Sequence, residues 1–280
     1  MEHPKNQTKE SASLRFLYHT IPGRLILKGL SARTLSALCG KFLDSRLSKC
    51  LIRPFLRKNK IHLEDFCTSE FQCFNDCFTR KIKRSKRPID KRPDALIAPC
   101  DGLLSAYRIH KDMILPVKQS RYSLRSLFAG DEIWKEFEDG ICLVYRLCVD
   151  HYHRYCYLDN GKKGRNRFIS GKLHTVRPIA LEAGPVFTEN CREYTIMETE
   201  NFGKVVQMEV GAMLVGKISN HDEACTFRRG QEKGMFLYGG STILVLLRKD
   251  CVHITQKFFR ATEQNKEIPV KMGEMIGIKL

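Results

Sequence analysis

The sequence predicts an α+β fold in which an N-terminal helical layer packs on a β-rich core of short, mostly antiparallel strands. Two changes of texture predict it. Up to about Arg87, apolar residues recur at spacings of three and four, the period of a helix face. From Ala95 onward, short apolar runs alternate with Gly, Pro, Asn and Asp, the punctuation of a sheet made of many short strands. Between them, Arg87-Pro88-Ile89-Asp90-Lys91-Arg92-Pro93-Asp94 has the prolines and aspartates of a connector. The expected division is a basic, amphipathic helical region over 1–94 and a β-rich core over 95–280.

The elements follow in order. Leu14, Leu17, Ile21, Leu25, Leu35, Leu38, Phe42, Leu43, Leu47, Leu51, Ile52 and Phe55 mark the helical region, interleaved with Arg and Lys. Residues 1–60 hold thirteen Lys and Arg against three acidic residues. An apolar stripe beside a basic face suits a helix lying in an anionic lipid interface. It equally suits a helical layer on a core with its cations solvated, and the two readings are compatible. A second basic stretch, from Arg80 to Arg92, raises nucleic-acid binding as an alternative, but no RNP-like aromatic pattern, zinc finger or recognition helix accompanies it. In the core, the runs Ala95–Ala98, Ile141–Val149, Lys204–Ile218 and Met235–Leu247 read as strands. One helix is expected over Ser123–Glu138, where Leu124, Leu127, Phe128, Ile133, Trp134 and Phe137 share a face.

Composition narrows the class. A chain of 280 residues can bury a real core. Its net charge of +17 favours nucleic acid or an anionic membrane surface as partner. The uncharged run Met235–Leu247 is too short for a transmembrane helix, which needs about 20 residues. The first residues lack the apolar core of a secretory signal, so the expected place is the cytoplasm or the cytoplasmic face of the cell membrane. The twelve cysteines form no C-x-x-C pair and read as small buried hydrophobes, with no metal site expected. No G-x-G-x-x-G or P-loop appears.

Four segments set reactive groups inside apolar, strand-like sequence: Ile97-Ala98-Pro99-Cys100-Asp101-Gly102, Cys148 to Tyr157 with His151 and His153, Gly171 to Ala180 with His174, and Tyr238-Gly239-Gly240-Ser241-Thr242. Glycines within a strand mark a bulge, a bend or a close backbone approach. Here they also leave the Gly240 carbonyl open to the Ser241 hydroxyl, given a base to take its proton. Asp101, His153 and Ser241 offer carboxylate, base and nucleophile in that chain order. Spacing alone makes this triad only a possibility, since Asp-Gly is a common turn and most histidines are structural. The G-x-S-x-G of α/β hydrolases is absent.

These segments resemble the phosphatidylserine decarboxylase proenzymes. Phe74-Asn75-Asp76-Cys77-Phe78-Thr79-Arg80 is similar to the family's "FNxFFxR" and Arg87-Pro88-Ile89 to its "RPI". Ala98-Pro99-Cys100-Asp101-Gly102 resembles "SPADG", Tyr152-His153-Arg154 "DYHR", Leu173-His174-Thr175-Val176-Arg177-Pro178 "LFSVNP", and Glu189-Asn190-Cys191-Arg192-Glu193 "ENERE". Val210 to Ile218 is similar to "VGALLVGxI", and Lys233 to Thr242 to "KGxFxFGGST". The resemblance implies autocatalytic cleavage between Gly240 and Ser241 into a β chain, 1–240, and an α chain, 241–280, that remain together. Ser241 would become a pyruvoyl group, the only cofactor, and take the amine of phosphatidylserine as a Schiff base. Loss of carbon dioxide would leave phosphatidylethanolamine. Asp101 carries over as the orienting carboxylate and His153 as the motif histidine. The implied partners are an anionic phospholipid membrane, bound peripherally, and a second copy in a possible homodimer, with no nucleic acid. Two departures stand out: His151 occupies the motif's Asp position, and Cys156 replaces a second histidine found in many members. The base of self-cleavage is then His153, or His174 in its place, with His174 and Cys156 as the candidate auxiliary residues; His151 reads as a packing or surface histidine. A decarboxylase of a soluble amino acid, a basic nucleic-acid-binding protein and an inactive relative are the alternatives.

Overall fold

The computed structural model describes residues 33–110, 114–117, 120–171, 186–211, 217–237 and 241–280, together with Phe16, Thr20 and Pro22. Gly240, His174 and most of the expected helical region before Arg33 lie outside the described residues. The first helices with described bounds are α1 (Arg33–Asp44), α2 (Ile52–Lys58) and α3 (Phe74–Phe78), with a 3-10 segment, Arg46–Leu51, between the first two. The strands are β1 (Ala95–Ile97), β2 (Gly102–Arg108), β3 (Ile114–Val117), β4 (Ser120–Ser123), β5 (Ile141–Leu147), β6 (Arg154–Cys156), β7 (Gly161–Lys163), β8 (Arg167–Ile169) and β9 (Arg192–Thr199). They continue with β10 (Gly203–Val210), β11 (Ile218–Asn220), β12 (Cys225–Phe227), β13 (Glu232–Phe236), β14 (Ser241–Leu247), β15 (Val252–Ile254), β16 (Ile268–Val270) and β17 (Met275–Lys279). Short helices α4 (Leu124–Leu127), α5 (Val186–Glu189) and α6 (Gln256–Glu263) fall among them.

The central sheet runs β12-β7-β9-β10-β14-β5-β2-β16, with β8 also on β9. β5 and β14 are apolar along nearly their whole length because they are buried on both faces. On one face lie α6 and two small sheets, β1-β17-β15 and β11-β13-β6, around Tyr145, Leu147, Ile243, Tyr155, Phe236 and Phe258. The other face, through Val144, Met208 and Leu244, is covered by Leu124, Leu127, Phe128 and Phe137. These last come from the stretch expected to form one helix over 123–138. It is instead two pieces, α4 and the 3-10 segment Glu132–Phe137, split where Ala129 (φ 52°) and Gly130 (φ 91°) turn left-handed. Side-chain periodicity could not see that interruption.

The helical layer has its own core of Leu43, Ile52, Phe71, Phe74, Cys77 and Phe78, joined by Leu237 from the chain just before β14. It therefore sits against one end of the central sheet. That end carries the site.

Candidate active site

Register brings the reactive segments together. Ser241, first in β14, pairs with Leu147, last in β5; Thr242 pairs with Val210, last in β10. On the other side of β5, Leu103 pairs with Arg146, so Asp101 just precedes β2 at the same end of the sheet. Asp101 and Ser241 thus flank the end of β5, about 10 Å apart at two strand spacings. The chain leaves β5 through Cys148–His153 into β6, while β13 leads toward β14 beside it; Phe236 N–H donates to the His153 carbonyl at 2.9 Å.

Ser241 is 1% exposed and its Oγ has no hydrogen-bond partner. His153 is fully buried, its ring 4.2 Å from that of Phe78 in α3. Its Nδ1 lies 2.9 Å from the His151 backbone oxygen. A carbonyl only accepts, so Nδ1 carries the hydrogen and Nε2 presents its lone pair. That Nε2 is buried without a partner. Burial pulls the His153 pKa down to about 3, against the opposing effect of the His151 carbonyl, with Arg80 and His151 lowering it further. The ring is a neutral acceptor facing an apolar interior, and the backbone carbonyl of His151 orients it.

Two arginines hold this loop under the helical layer. Arg80, only 2% exposed, donates through Nη1 to the Cys77 and Phe78 carbonyls and through Nη2 to that of Asp150 at 3.3 Å. Arg154 Nε donates to the Thr79 carbonyl at 2.6 Å. Inside the loop, Cys148 N–H donates to His151 Nδ1 at 3.2 Å.

Asp101 does not touch His153. Its carboxylate accepts from Arg87, at 2.7 Å through Nε and again through Nη2, and from the Met272 N–H at 2.9 Å. Burial alone would lower the Arg87 pKa; the bond and charge of Asp101 outweigh it and leave it raised. The structure thus places Asp101 and Ser241 at one end of the sheet, where the loop carrying His153 leaves β5, without a carboxylate–imidazole hydrogen bond.

The phosphatidylserine decarboxylase family model matches residues 74–278. The chain belongs to this family. It is 40% identical over 269 residues to "Phosphatidylserine decarboxylase proenzyme 2" of Clostridium acetobutylicum, covering 96% of this chain and 92% of that one. It is 36% identical over 285 residues to a phosphatidylserine decarboxylase proenzyme of Clostridium botulinum, strain Alaska E43, covering 100% and 96%. A proenzyme of Ruminiclostridium cellulolyticum is 40% identical over 271 residues, covering 94% and 90%.

In this phosphatidylserine decarboxylase family member, Cys156 is buried among Tyr155, Tyr157 and Phe236, and burial pushes its thiol up to about 12. A thiol so protonated has no lone-pair basicity to offer at neutral pH. His151 is half-buried, its pKa lowered by burial, and serves the loop. Cys148, Asp150 and His151 bring ligand-type atoms within 4.8 Å of one another. The Cys148 sulfur already accepts from Arg146 Nη1 at 3.3 Å and His151 Nδ1 accepts from the backbone, so the fold uses this trio to shape the loop. Sequence reasoning missed the Arg87–Asp101 pair and the stapling by Arg80 and Arg154: Arg80 and Arg87 read as members of a basic stretch, and Arg154 only as part of a motif. Their signal was placement, since each also stands inside one of the motifs that carry the resemblance.

Proposed function

We propose that this chain is a self-processing, pyruvoyl-dependent enzyme that converts phosphatidylserine to phosphatidylethanolamine and carbon dioxide at a membrane surface. The observation that carries the proposal is the pair of partnerless buried atoms, Ser241 Oγ and His153 Nε2, at the sheet end of a phosphatidylserine decarboxylase family member. Native interiors leave few such atoms, and each calls for a reason.

Processing uses this chain's own groups. Ser241 Oγ bonds to the Gly240 carbonyl carbon while its proton passes to His153 Nε2. The carbon–nitrogen bond then breaks, the nitrogen of residue 241 takes the proton, and an ester joins the two segments. Removal of the Ser241 Cα proton expels the Gly240 carboxylate and splits 1–240 from 241–280. The dehydrated residue takes up water and releases ammonia, leaving a pyruvoyl group. The position fits that group: it is buried, and the hydroxyl consumed has no hydrogen bond to lose. When present, the group supplies a carbonyl that takes up the substrate amine and accepts the electron pair left by carbon dioxide. His153, held by the His151 carbonyl, moves protons at Nε2, and Phe78 keeps water from it. Asp101, locked to Arg87 and to the Met272 N–H, fixes the connector and the start of β2 around the mouth.

The helical layer supports membrane docking. No helix among the described residues is long and apolar enough to cross a membrane. Leu38 and Leu47 are 65% and 76% exposed, with Phe42 and Leu51 also exposed. Beside them, Arg53, Arg57, Lys60 and His62, with Leu56 and Ile61, line a groove of about 510 Å³ that no acidic side chain enters. Apolar side chains for the acyl boundary next to cations for lipid phosphate suit peripheral attachment. Phe78 then links this layer to His153, which brings the site close to the lipid.

Intact mass under denaturing conditions tests the reading. Two chains divided between Gly240 and Ser241, conversion of phosphatidylserine vesicles in preference to free serine, and a single uncut chain for Ser241→Ala are expected. A wild-type chain that stays whole after incubation with membranes overturns the proposal.

A further inference from the structure

Tyr145 is fully buried, and its phenol oxygen has no hydrogen-bond partner. It stands on the same face of the central sheet as Ser241. Leu143, Tyr145 and Leu147 of β5 and Ile243, Val245 and Leu247 of β14 all enter one core, and Ser241 precedes Ile243 by the two residues of a strand repeat. Tyr145 pairs with Ile243 and Leu147 with Ser241, so Tyr145 and Ser241 are diagonal neighbours on adjacent strands. Such neighbours lie about 7–8 Å apart, within reach of an aromatic side chain. On the opposite flank, one step beyond the Val210–Thr242 pair, stands Gly211, which brings no side chain toward Ser241.

Two other atoms invite the same question and answer it differently. Gln207 Oε1 is also buried and partnerless on this face, but its amide nitrogen is bonded to Glu209. Thr242 Oγ1, equally partnerless, points to the opposite face. Of these, only Tyr145 offers an unused donor on the face that Ser241 occupies. A phenylalanine would fill the apolar site without the penalty of about 1–3 kcal/mol for a buried unmade bond. Burial first, then the Cys100 and Cys156 thiols, raise the phenol pKa well above 10, so it donates and does not act as a base.

We propose that Tyr145 is a third working group of the processing site, donating its hydroxyl hydrogen to the oxygen that becomes negative when Ser241 Oγ bonds to the Gly240 carbonyl carbon. The inference rests on the self-cleavage reading above. As the new carbon–oxygen bond forms from an Oγ lone pair, the carbonyl π pair moves onto oxygen and the Oγ proton goes to His153. Collapse returns the pair to the carbonyl, breaks the carbon–nitrogen bond and delivers the proton to nitrogen. Tyr145 keeps its own proton throughout. Preorganised donors of this kind stabilise charge that exists only during reaction.

The test follows processing of freshly synthesised Tyr145→Phe precursor on denaturing gels and by intact mass, with thermal melting and hydroxylamine trapping in parallel. The melting temperature should hold or rise, because the oxygen removed had no partner. Cleavage at Gly240–Ser241 should slow about 10²–10³-fold, with no build-up of hydroxylamine-sensitive ester. Cleavage at the wild-type rate overturns the proposal. So does slow cleavage with accumulating ester, which would place the hydroxyl after ester formation. Tyr145→3-fluorotyrosine keeps ring and hydroxyl and makes a stronger donor, so it guards against a folding defect in the first variant. It should cleave several-fold faster, and an unchanged rate counts against Tyr145. A wild-type precursor that never cleaves sinks the self-cleavage reading itself, whereas wild-type cleavage unaffected at position 145 sinks only this inference.

Discussion

Two groups of buried polar side chains lie on one side of the central sheet, Glu209 and Tyr145 both opposite Ile243, and the fold treats the groups in opposite ways. Glu209, opposite Ile243, accepts from Lys233 Nζ at 2.8 Å and from Gln207 at 2.9 Å. Lys233 also donates to Asn220 Oδ1 at 2.7 Å, and Asn220 donates to Glu193 at 2.7 Å. Glu209 and Lys233 are wholly buried and wholly engaged. At the sheet end, Ser241 Oγ, Tyr145 OH and His153 Nε2 are equally buried and engaged with nothing. The first cluster is scaffold: charges removed from water are tolerable only in pairs. The second spends stability, which makes sense where the missing partner arrives with the reaction.

The comparison breaks most visibly at His153. His153→Phe keeps the packing against Phe78 and loses one bond to the His151 carbonyl, a cost of about 1 kcal/mol. Processing, followed as the fraction of cut chain with time, should fall about 10²–10⁴-fold. Normal cleavage would mean that this lone pair is idle. Lys233→Met should do the reverse. It strands Glu209 in the core, at a cost of about 3–5 kcal/mol, read as a lower urea midpoint. The chains that remain folded should cleave at the wild-type rate, and adding Glu209→Leu should restore much of the stability. A Lys233→Met protein of normal stability and poor cleavage would exchange the two clusters' roles.

Much of this was legible beforehand. The change of texture at Ala95 falls where β1 (Ala95–Ile97) begins, since helix and strand periods differ along the chain. The strands containing or flanking Asp101, His153 and Ser241 were recognisable as apolar runs, and β5 and β14 lie within the runs that suggested them. What stayed hidden depends on atoms that sequence does not specify. The group orienting His153 is a backbone carbonyl, which every residue has, so no side-chain pattern could reveal it. Asp101 suggested a triad by residue type, yet its partner Arg87 lies fourteen residues back, in a connector read as a charged linker. Tyr145 lies unremarked inside the run Ile141–Val149, and only the register with Ile243 sets it diagonally across from Ser241.

Between the two clusters in character is the Arg87–Asp101 pair, its carboxylate buried, its guanidinium half-buried, and both fully bonded. Asp101→Asn keeps an acceptor for the Met272 N–H but removes charge from a two-point contact, at an expected cost of about 2 kcal/mol. A double-mutant cycle with Arg87→Gln measures it by urea unfolding. A coupling below about 0.5 kcal/mol would show the pair to be loose and would withdraw Asp101 from its positioning role.

The smallest expected effect is a rate that does not move. With its pKa near 3, His153 stays neutral in the folded precursor at any ordinary pH. Its contribution to the rate should therefore be flat from about pH 8 to pH 5, whereas an exposed histidine base, with a pKa of about 6.5, would lose nearly tenfold per unit below it. Stability should behave differently. Below about pH 6.5 the unfolded chain takes up a proton on His153 and the folded chain does not, so the native state loses at most about 1.4 kcal/mol per pH unit until the folded group titrates near pH 3. His151, also lowered by burial, steepens that slope, and the buried Arg80 beside the loop keeps the imidazolium unfavourable. His153→Phe should remove part of the slope. A processing rate that instead falls through pH 6.5, measured while the precursor remains folded, would mean that a solvated histidine takes the Ser241 proton and that the partnerless Nε2 serves some other end.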